Sequence, residues 1–155
     1  MIQRIQSLFL LLITLFSTFY MTGNMIGFTE YPGSSLFINL NGLVRVAGGT
    51  GDEIIRQMIP LVLLILLIGL VSLVTIFLYR NRKTQMRFVL ALIILIVFFI
   101  IVLSFISYKI ILTYKVEIIL AIRLIIPFFM LIFSILAYIR IRKDEKLIRS
   151  YERLR

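Results

Sequence analysis

The sequence predicts an all-α membrane protein: four transmembrane helices in an antiparallel bundle, a short β-hairpin in the first outer loop and a cytoplasmic helical tail. Three observations predict it. The 155 residues are 61% hydrophobic with a mean hydropathy of +1.10, where a soluble domain sits near 45–50% apolar. The runs Leu61–Tyr79 and Phe88–Ser107 carry no charge, and each is long enough at about 1.5 Å per residue to cross roughly 30 Å of hydrocarbon. The 17 Lys and Arg gather at the ends of such runs, where orientation in a bilayer is set.

A single polytopic domain over 1–155 follows, with spans at about 5–26, 54–79, 87–112 and 116–139. The first run begins behind Arg4, as a signal peptide would. STFYMTGN after it offers no small-residue cleavage site, so the run is read as an uncleaved first helix. With the N-terminus inside, twelve of the 17 basic residues fall in 1–4, in the cytoplasmic loop 80–87 and in the cytoplasmic tail 140–155. That bias puts both termini in the cytoplasm. It also explains the net charge of +10 without a nucleic acid, which is disfavoured as a partner because no stacking aromatics accompany the charges beyond Tyr151.

Cys and His are both absent. Disulfide frameworks, the usual zinc sites and Ser-His or Cys-His catalysis go with them. Ser107 and Lys109 are two apart on a helix and point in different directions, so they make a poor dyad. The reading is non-enzymatic, with no catalytic residue, metal or cofactor.

The outer loop 27–53 contains LFINL-NG-LVRV. Asn-Gly favours a type I′ hairpin, with Leu40 facing Leu43 and Ile38 facing Arg45. An isolated ribbon is marginal in water, so the hairpin needs support. GGTG at 48–51 lacks the Lys and the preceding buried strand of a phosphate loop. It is read as a link into the second helix, with Thr50 and Glu53 spaced as a capping box.

Inside the spans, Thr14, Ser17, Thr18 and Met21 share one helical face, and Ser72, Thr75, Ser104, Ser107 and Ser134 mark the other helices. Small hydroxyl residues let membrane helices approach and bond, so packing is the first reading and a polar path the second. Arg123 lies about 8 Å inward of Ile118, near the start of the fourth span, and can snorkel outward. Pro127 follows four residues on, and Arg56 with Pro60 repeats the spacing. Matched proline kinks would open an outer cleft formed by Arg56, Pro60, Glu117, Arg123 and Pro127, with Asp52 and Glu53 as further ion partners.

The tail has no Gly or Pro from Ala137 onward, so the fourth helix should run on into the cytoplasm. Leu147, Tyr151 and Leu154 form a stripe, and Glu145–Arg149 is an i,i+4 pair in the favourable order. A short helix in water is marginal, so the stripe asks for a surface to cover it.

MIQRIQSLFLLLI, YRNRKTQMR and KDEKLIRSYERLR together resemble domain of unknown function 4293, a family of four-helix bacterial membrane proteins, largely from the Bacteroidota. The resemblance covers essentially the whole chain. It implies a four-span inner-membrane protein and brings no activity, substrate or catalytic residue with it. It directs attention to the cytoplasmic face, where Arg4, Arg80, Arg82, Lys83, Arg87, Asp144, Glu145, Arg149 and Tyr151 form a candidate partner surface. Arg80–Arg87 would pair there with Asp144 and Glu145. The expected role is a structural or accessory subunit in the lipid bilayer, docking a larger membrane-protein complex or anionic lipid at that face. The alternative is a small transporter or lipid-handling protein using the outer cleft near Arg56 and Arg123.

Overall fold

The computed structural model describes residues 3–30, 34–47, 50–119 and 122–152. These residues form helices α1 (Gln3–Met21), α2 (Ile59–Phe77), α3 (Arg82–Tyr114) and α4 (Ile126–Glu152). They also form strands β1 (Ile26–Glu30), β2 (Ser34–Asn39), β3 (Gly42–Ala47), β4 (Thr50–Arg56) and β5 (Glu117–Ile119). Short 3-10 turns at Leu78–Arg80 and Ile122–Ile125 lead out of α2 and into α4.

The expectation of an all-α protein is therefore corrected. The strands make one five-stranded antiparallel sheet in the order β4-β3-β2-β1-β5. The predicted hairpin is its centre, and neighbouring strands supply the support that a lone ribbon lacks. Three of those strands overlap expected spans, β4 at the start of the second, where residues 54–56 are strand and α2 begins only at Ile59. The first span is expected to reach Ile26, yet Ile26 pairs with Ile38, Gly27 with Phe37 and Phe28 with Leu36. The fourth span is expected to include Glu117–Ile119, yet Phe28 pairs with Ile118 and Gly27 with Ile119. A short apolar β-branched run fits strand and helix equally on hydropathy alone. The capping box at Thr50 and Glu53 does not form, because both residues lie in β4 and α2 begins only at Ile59. The phosphate-loop alternative also lacks its helix there, while Gly48 and Gly49 lie outside the described residues.

The hairpin turn sits one residue earlier than expected, which moves each residue's partner by two. Asn39 pairs with Gly42, Ile38 with Leu43 and Leu36 with Arg45, leaving Leu40 and Asn41 as the turn. The Asn39 side-chain oxygen accepts from the Asn41 N–H at 3.0 Å, a local bond that sets this turn in place of the type I′ form. Gly42 has φ +123°, and a Cβ on it would lie 2.1 Å from the Arg56 carbonyl. Glycine is what lets β3 and β4 approach there.

Ile59–Phe77, Arg82–Tyr114 and Arg123–Glu145 are each long and apolar enough to cross a membrane, and the described apolar stretch of α1, Gln6–Met21, is shorter. The protein is a membrane protein by this measure. Each helix packs against the next along the chain, and α4 returns to α1. The buried positions of every helix step by three and four. They are Gln6, Leu10, Ile13, Ser17 and Tyr20 in α1, and Leu61, Ile65, Ile68, Ser72 and Thr75 in α2. In α3 they include Gln85, Val89, Leu92, Ile96, Phe99 and Leu103, and in α4 Met130, Ser134, Ala137, Ile141 and Asp144. This is the 3.5-residue spacing of helices that cross at a shallow angle with interdigitated side chains. Outside the seams, Leu63, Ile94, Ile101, Phe105 and Ile132 are exposed, as suits helices solvated by lipid on their outer faces.

The polar residues of the spans fall largely into these seams. Ser17 donates to the Ile65 carbonyl at 2.8 Å, and Ser72 donates back to the Leu10 carbonyl at 2.7 Å. The two bonds tie α1 antiparallel to α2. Ser107 and Ser134 are buried and bond within their own helices. Thr18 and Ser104 stay on the outer surface. At the α1–α4 contact, Phe133 stacks on both Phe9 and Phe16, with ring centroids 6.0 and 5.9 Å apart. The core continues from the helices into Phe28, Leu36 and Ile38 of the sheet. The sheet thus closes one end of the helices, and the start of α1, the α2–α3 turn and the end of α4 share the other.

Candidate functional site

Two places gather chemistry, one at each end of the molecule. At the tail end, the Gln6 side-chain amide donates to the Asp144 carboxylate. Gln6 is 5% exposed and Asp144 6%, so the Asp144 carboxyl group is buried and bonded to a neutral amide donor. Both sit on the seams, which is why the helices bring them together across 138 residues of sequence. At the same end of the helices, buried Gln85 donates to the Thr75 carbonyl at 3.3 Å, closing the end of α2 against α3.

The residues expected on the partner surface divide accordingly. Asp144 is inside, bonded to Gln6, and so is not presented to a partner. Glu145 and Arg82 are half-buried, while Lys83 and Arg87 are exposed. Arg4, Arg80, Arg149 and Tyr151 lie in the described helices and turn, but their side chains are outside the described part. α4 does continue without a break to Glu152.

At the sheet end, the residues of the expected outer cleft are not brought together. Arg56 closes β4 at one edge of the sheet, and Glu117 opens β5 at the opposite edge, with three strands between them. Pro60 and Pro127 are each the second residue of their helices. A proline is accommodated in a first turn without a kink, so the matched bends do not arise. Pro127 instead lines an apolar cleft of about 290 Å³ between α3 and α4, with Leu103, Ser104, Ser107, Tyr108 and Phe128.

Arg123 has a different setting from the expected one. Its guanidinium lies over the Phe19 ring at 5.1 Å, within the range of a cation–π contact. Its Nη1 donates to the Asn24 carbonyl at 3.4 Å. Gly23 makes this possible, since a Cβ there would fall 1.7 Å from Nη1. The 3-10 turn before α4 thus lays the arginine across the carboxyl-terminal end of α1, where a positive charge is favoured by the helix dipole.

Sequence reasoning missed Gln6, Gln85, Phe19 and Gly23. Gln6 and Gln85 carry the one signal that was available, a polar residue falling in step with the hydroxyl residues at three-and-four spacing. Phe19 and Gly23 carry none, because their role depends on a turn 100 residues away. Among the described residues no group of three acidic side chains converges to hold a metal ion. What the two ends offer is binding chemistry: a buried polar latch under a basic surface, and a cation held on an aromatic ring at the rim of the apolar body.

No curated protein and no solved structure matches the chain. The model of the family described as "Domain of unknown function (DUF4293)" matches residues 2–154, and with essentially the whole sequence covered and the membrane helices in place, the chain belongs to that family.

Proposed function

We propose that the protein is a non-enzymatic accessory subunit of the bacterial inner membrane, with both termini in the cytoplasm, that docks a partner complex through its basic end. The observation that carries this reading is the Gln6–Asp144 bond. It roots α4 against α1 at Asp144, and the helix then continues through Glu152. Those further residues project roughly 12 Å at 1.5 Å per residue. The projection bears Lys146 and Arg149 beside Leu147, Ile148 and Tyr151. It leaves from the same end as the exposed Lys83 and Arg87 of α3. A rooted, basic and partly apolar helix suits a docking element better than a solvated tail, and the concentration of Lys and Arg at that end supports the cytoplasmic side.

The test removes 146–155 and leaves Asp144 in place, so that the helical body stays latched. Membranes are extracted in mild detergent, and proteins recovered with the full chain and the truncated chain are compared by mass spectrometry. Loss of a specific set, reproduced by Lys83→Glu with Arg87→Glu, is the expected result. Identical recovery from both chains would remove the reading. A second reading, lipid handling at the opposite end, is favoured by the placement of Arg123 on Phe19.

A further inference from the structure

We infer that Arg123 and the outer face of α1 form a phospholipid site, with the lipid phosphate on the guanidinium and one acyl chain along the helix. The inference deepens the lipid reading above and depends on the membrane placement of the helices, not on the docking end.

The cation comes first. An arginine has five N–H donors, and here one is directed to the Asn24 carbonyl, with the Phe19 ring beneath. Among the described residues no acidic side chain pairs with it. A guanidinium held this way is pre-organised, with its remaining donors available in a fork that matches phosphate oxygens. Its level is also right. Arg123 begins the apolar stretch of the fourth span, and Phe19 is two residues from the end of α1. The charge therefore sits where hydrocarbon gives way to headgroups.

The chain path comes second. A shallow furrow of about 550 Å³ on α1 is lined by Leu15, Phe16, Thr18, Phe19 and Thr22. Phe19 is thus both the wall of the furrow and the platform for the cation. Below it the exposed residues Leu15, Leu11 and Leu8 continue down one side of the helix. From Phe19 to Leu8 is about 16 Å at 1.5 Å per residue, close to the length of an acyl chain. The furrow's hydroxyls do not compete for the ligand, because Thr18 donates to the Leu15 carbonyl and Thr22 to the Phe19 carbonyl.

Arg123 could instead serve only as a cap on α1, so the test must separate cap from cation. Arg123→Gln keeps a donor for the Asn24 carbonyl and removes the charge. Gly23→Ala keeps the charge and pushes the guanidinium off its seat. Full-length protein in detergent is titrated with phosphatidylglycerol and read by native mass spectrometry. Diacylglycerol with the same chains and inorganic phosphate are the comparison probes. Each substitution should weaken phosphatidylglycerol binding about tenfold, the loss expected for a charge-assisted contact. Diacylglycerol should bind at least as weakly as the variants do, and phosphate should not displace the lipid. Unchanged affinity in Arg123→Gln overturns the site, as does equal binding of diacylglycerol or displacement by phosphate alone. If Arg123→Gln does not yield folded protein, Leu15→Trp on the lipid-facing surface decides, since retained affinity with the furrow filled overturns the chain path. Removal of 146–155 should leave phosphatidylglycerol binding intact, so failure here and failure of the docking reading are told apart.

Discussion

Gly69 of α2 lies directly against Ser17 of α1: a Cβ on the glycine would stand 2.9 Å from the serine hydroxyl oxygen, which donates to the Ile65 carbonyl at 2.8 Å. The missing side chain and the hydroxyl make one contact. In lipid there is little hydrophobic drive between helices, and close approach with interhelical bonding does more of the holding. The reciprocal bond from Ser72 to Leu10 repeats the arrangement further along the same pair.

Gly69→Ala should therefore destabilise the α1–α2 contact by about 1 kcal/mol, within the range measured for hydrogen bonds between membrane helices. Ser17→Ala should cost a similar amount. The two should not add, because once the hydroxyl is gone the new methyl group meets little resistance. A double-mutant cycle on unfolding in detergent is the measurement, with a coupling of about 1 kcal/mol expected. Additive effects would show that Ser17 and Gly69 act independently.

At the other end of α1, the buried Gln6–Asp144 contact predicts an order of variants. Asp144→Asn keeps an acceptor for the Gln6 amide and should cost less than about 1 kcal/mol. Asp144→Ala leaves that amide buried and unsatisfied, at about 1–3 kcal/mol. Gln6→Leu should be the worst of the three, because it leaves a buried carboxyl group without its amide donor. Thermal or denaturant unfolding in detergent ranks them. If Gln6→Leu proves the mildest, Asp144 is not buried as described.

Sidedness is open to a direct test because the chain has no cysteine. Single substitutions Asn41→Cys, Lys83→Cys and Ser150→Cys create one labelling site each. Asn41 lies in the β2–β3 turn and Lys83 in the first turn of α3. Ser150 lies near the end of α4. A membrane-impermeant maleimide added to intact cells should label Asn41→Cys alone, and the other two only after the membrane is opened. Labelling of Asn41→Cys and Lys83→Cys from the same side would contradict a membrane lying between the sheet and the α2–α3 turn.

The sequence made the four helices legible, but not the seams that join them. Leu63, Ile94 and Ile101 face outward, while Ile65, Ile96 and Phe99 face inward, and hydropathy does not separate the two sets because lipid is as apolar as the core. The polar residues were the better guide, since Ser17, Ser72, Gln85 and Ser134 all lie in the seams. β1 and β5 were hidden for a related reason. Ile26 and Ile118 extend apolar runs that already looked like helix, and their pairing becomes visible only when two segments about 90 residues apart meet. Arg123 stands out in the sequence as a charge within an apolar run, yet the shared spacing to proline places it in one cleft with Arg56. Strand order, which puts Arg56 in one edge strand and β5, the strand before the Arg123 turn, at the opposite edge, was not recoverable from that spacing.

Tyr20 gives the last prediction. Its ring is fully buried and meets Phe99 edge-on, with centroids 5.8 Å apart and planes at 82°, a favourable geometry for two aromatic rings. Its hydroxyl is buried with no hydrogen-bond partner among the described residues. The ring thus contributes packing while the oxygen carries an uncompensated desolvation cost. Tyr20→Phe removes the oxygen and keeps the edge-on contact, so it should leave stability unchanged or raise it by up to about 1 kcal/mol. Tyr20→Ala removes both and should cost about 3–5 kcal/mol, as deletion of a large core ring does. Unfolding of the two variants in the same detergent checks the contrast. A clear loss of stability in Tyr20→Phe would mean that the hydroxyl has a partner, and water held beside the ring would then be the first place to look.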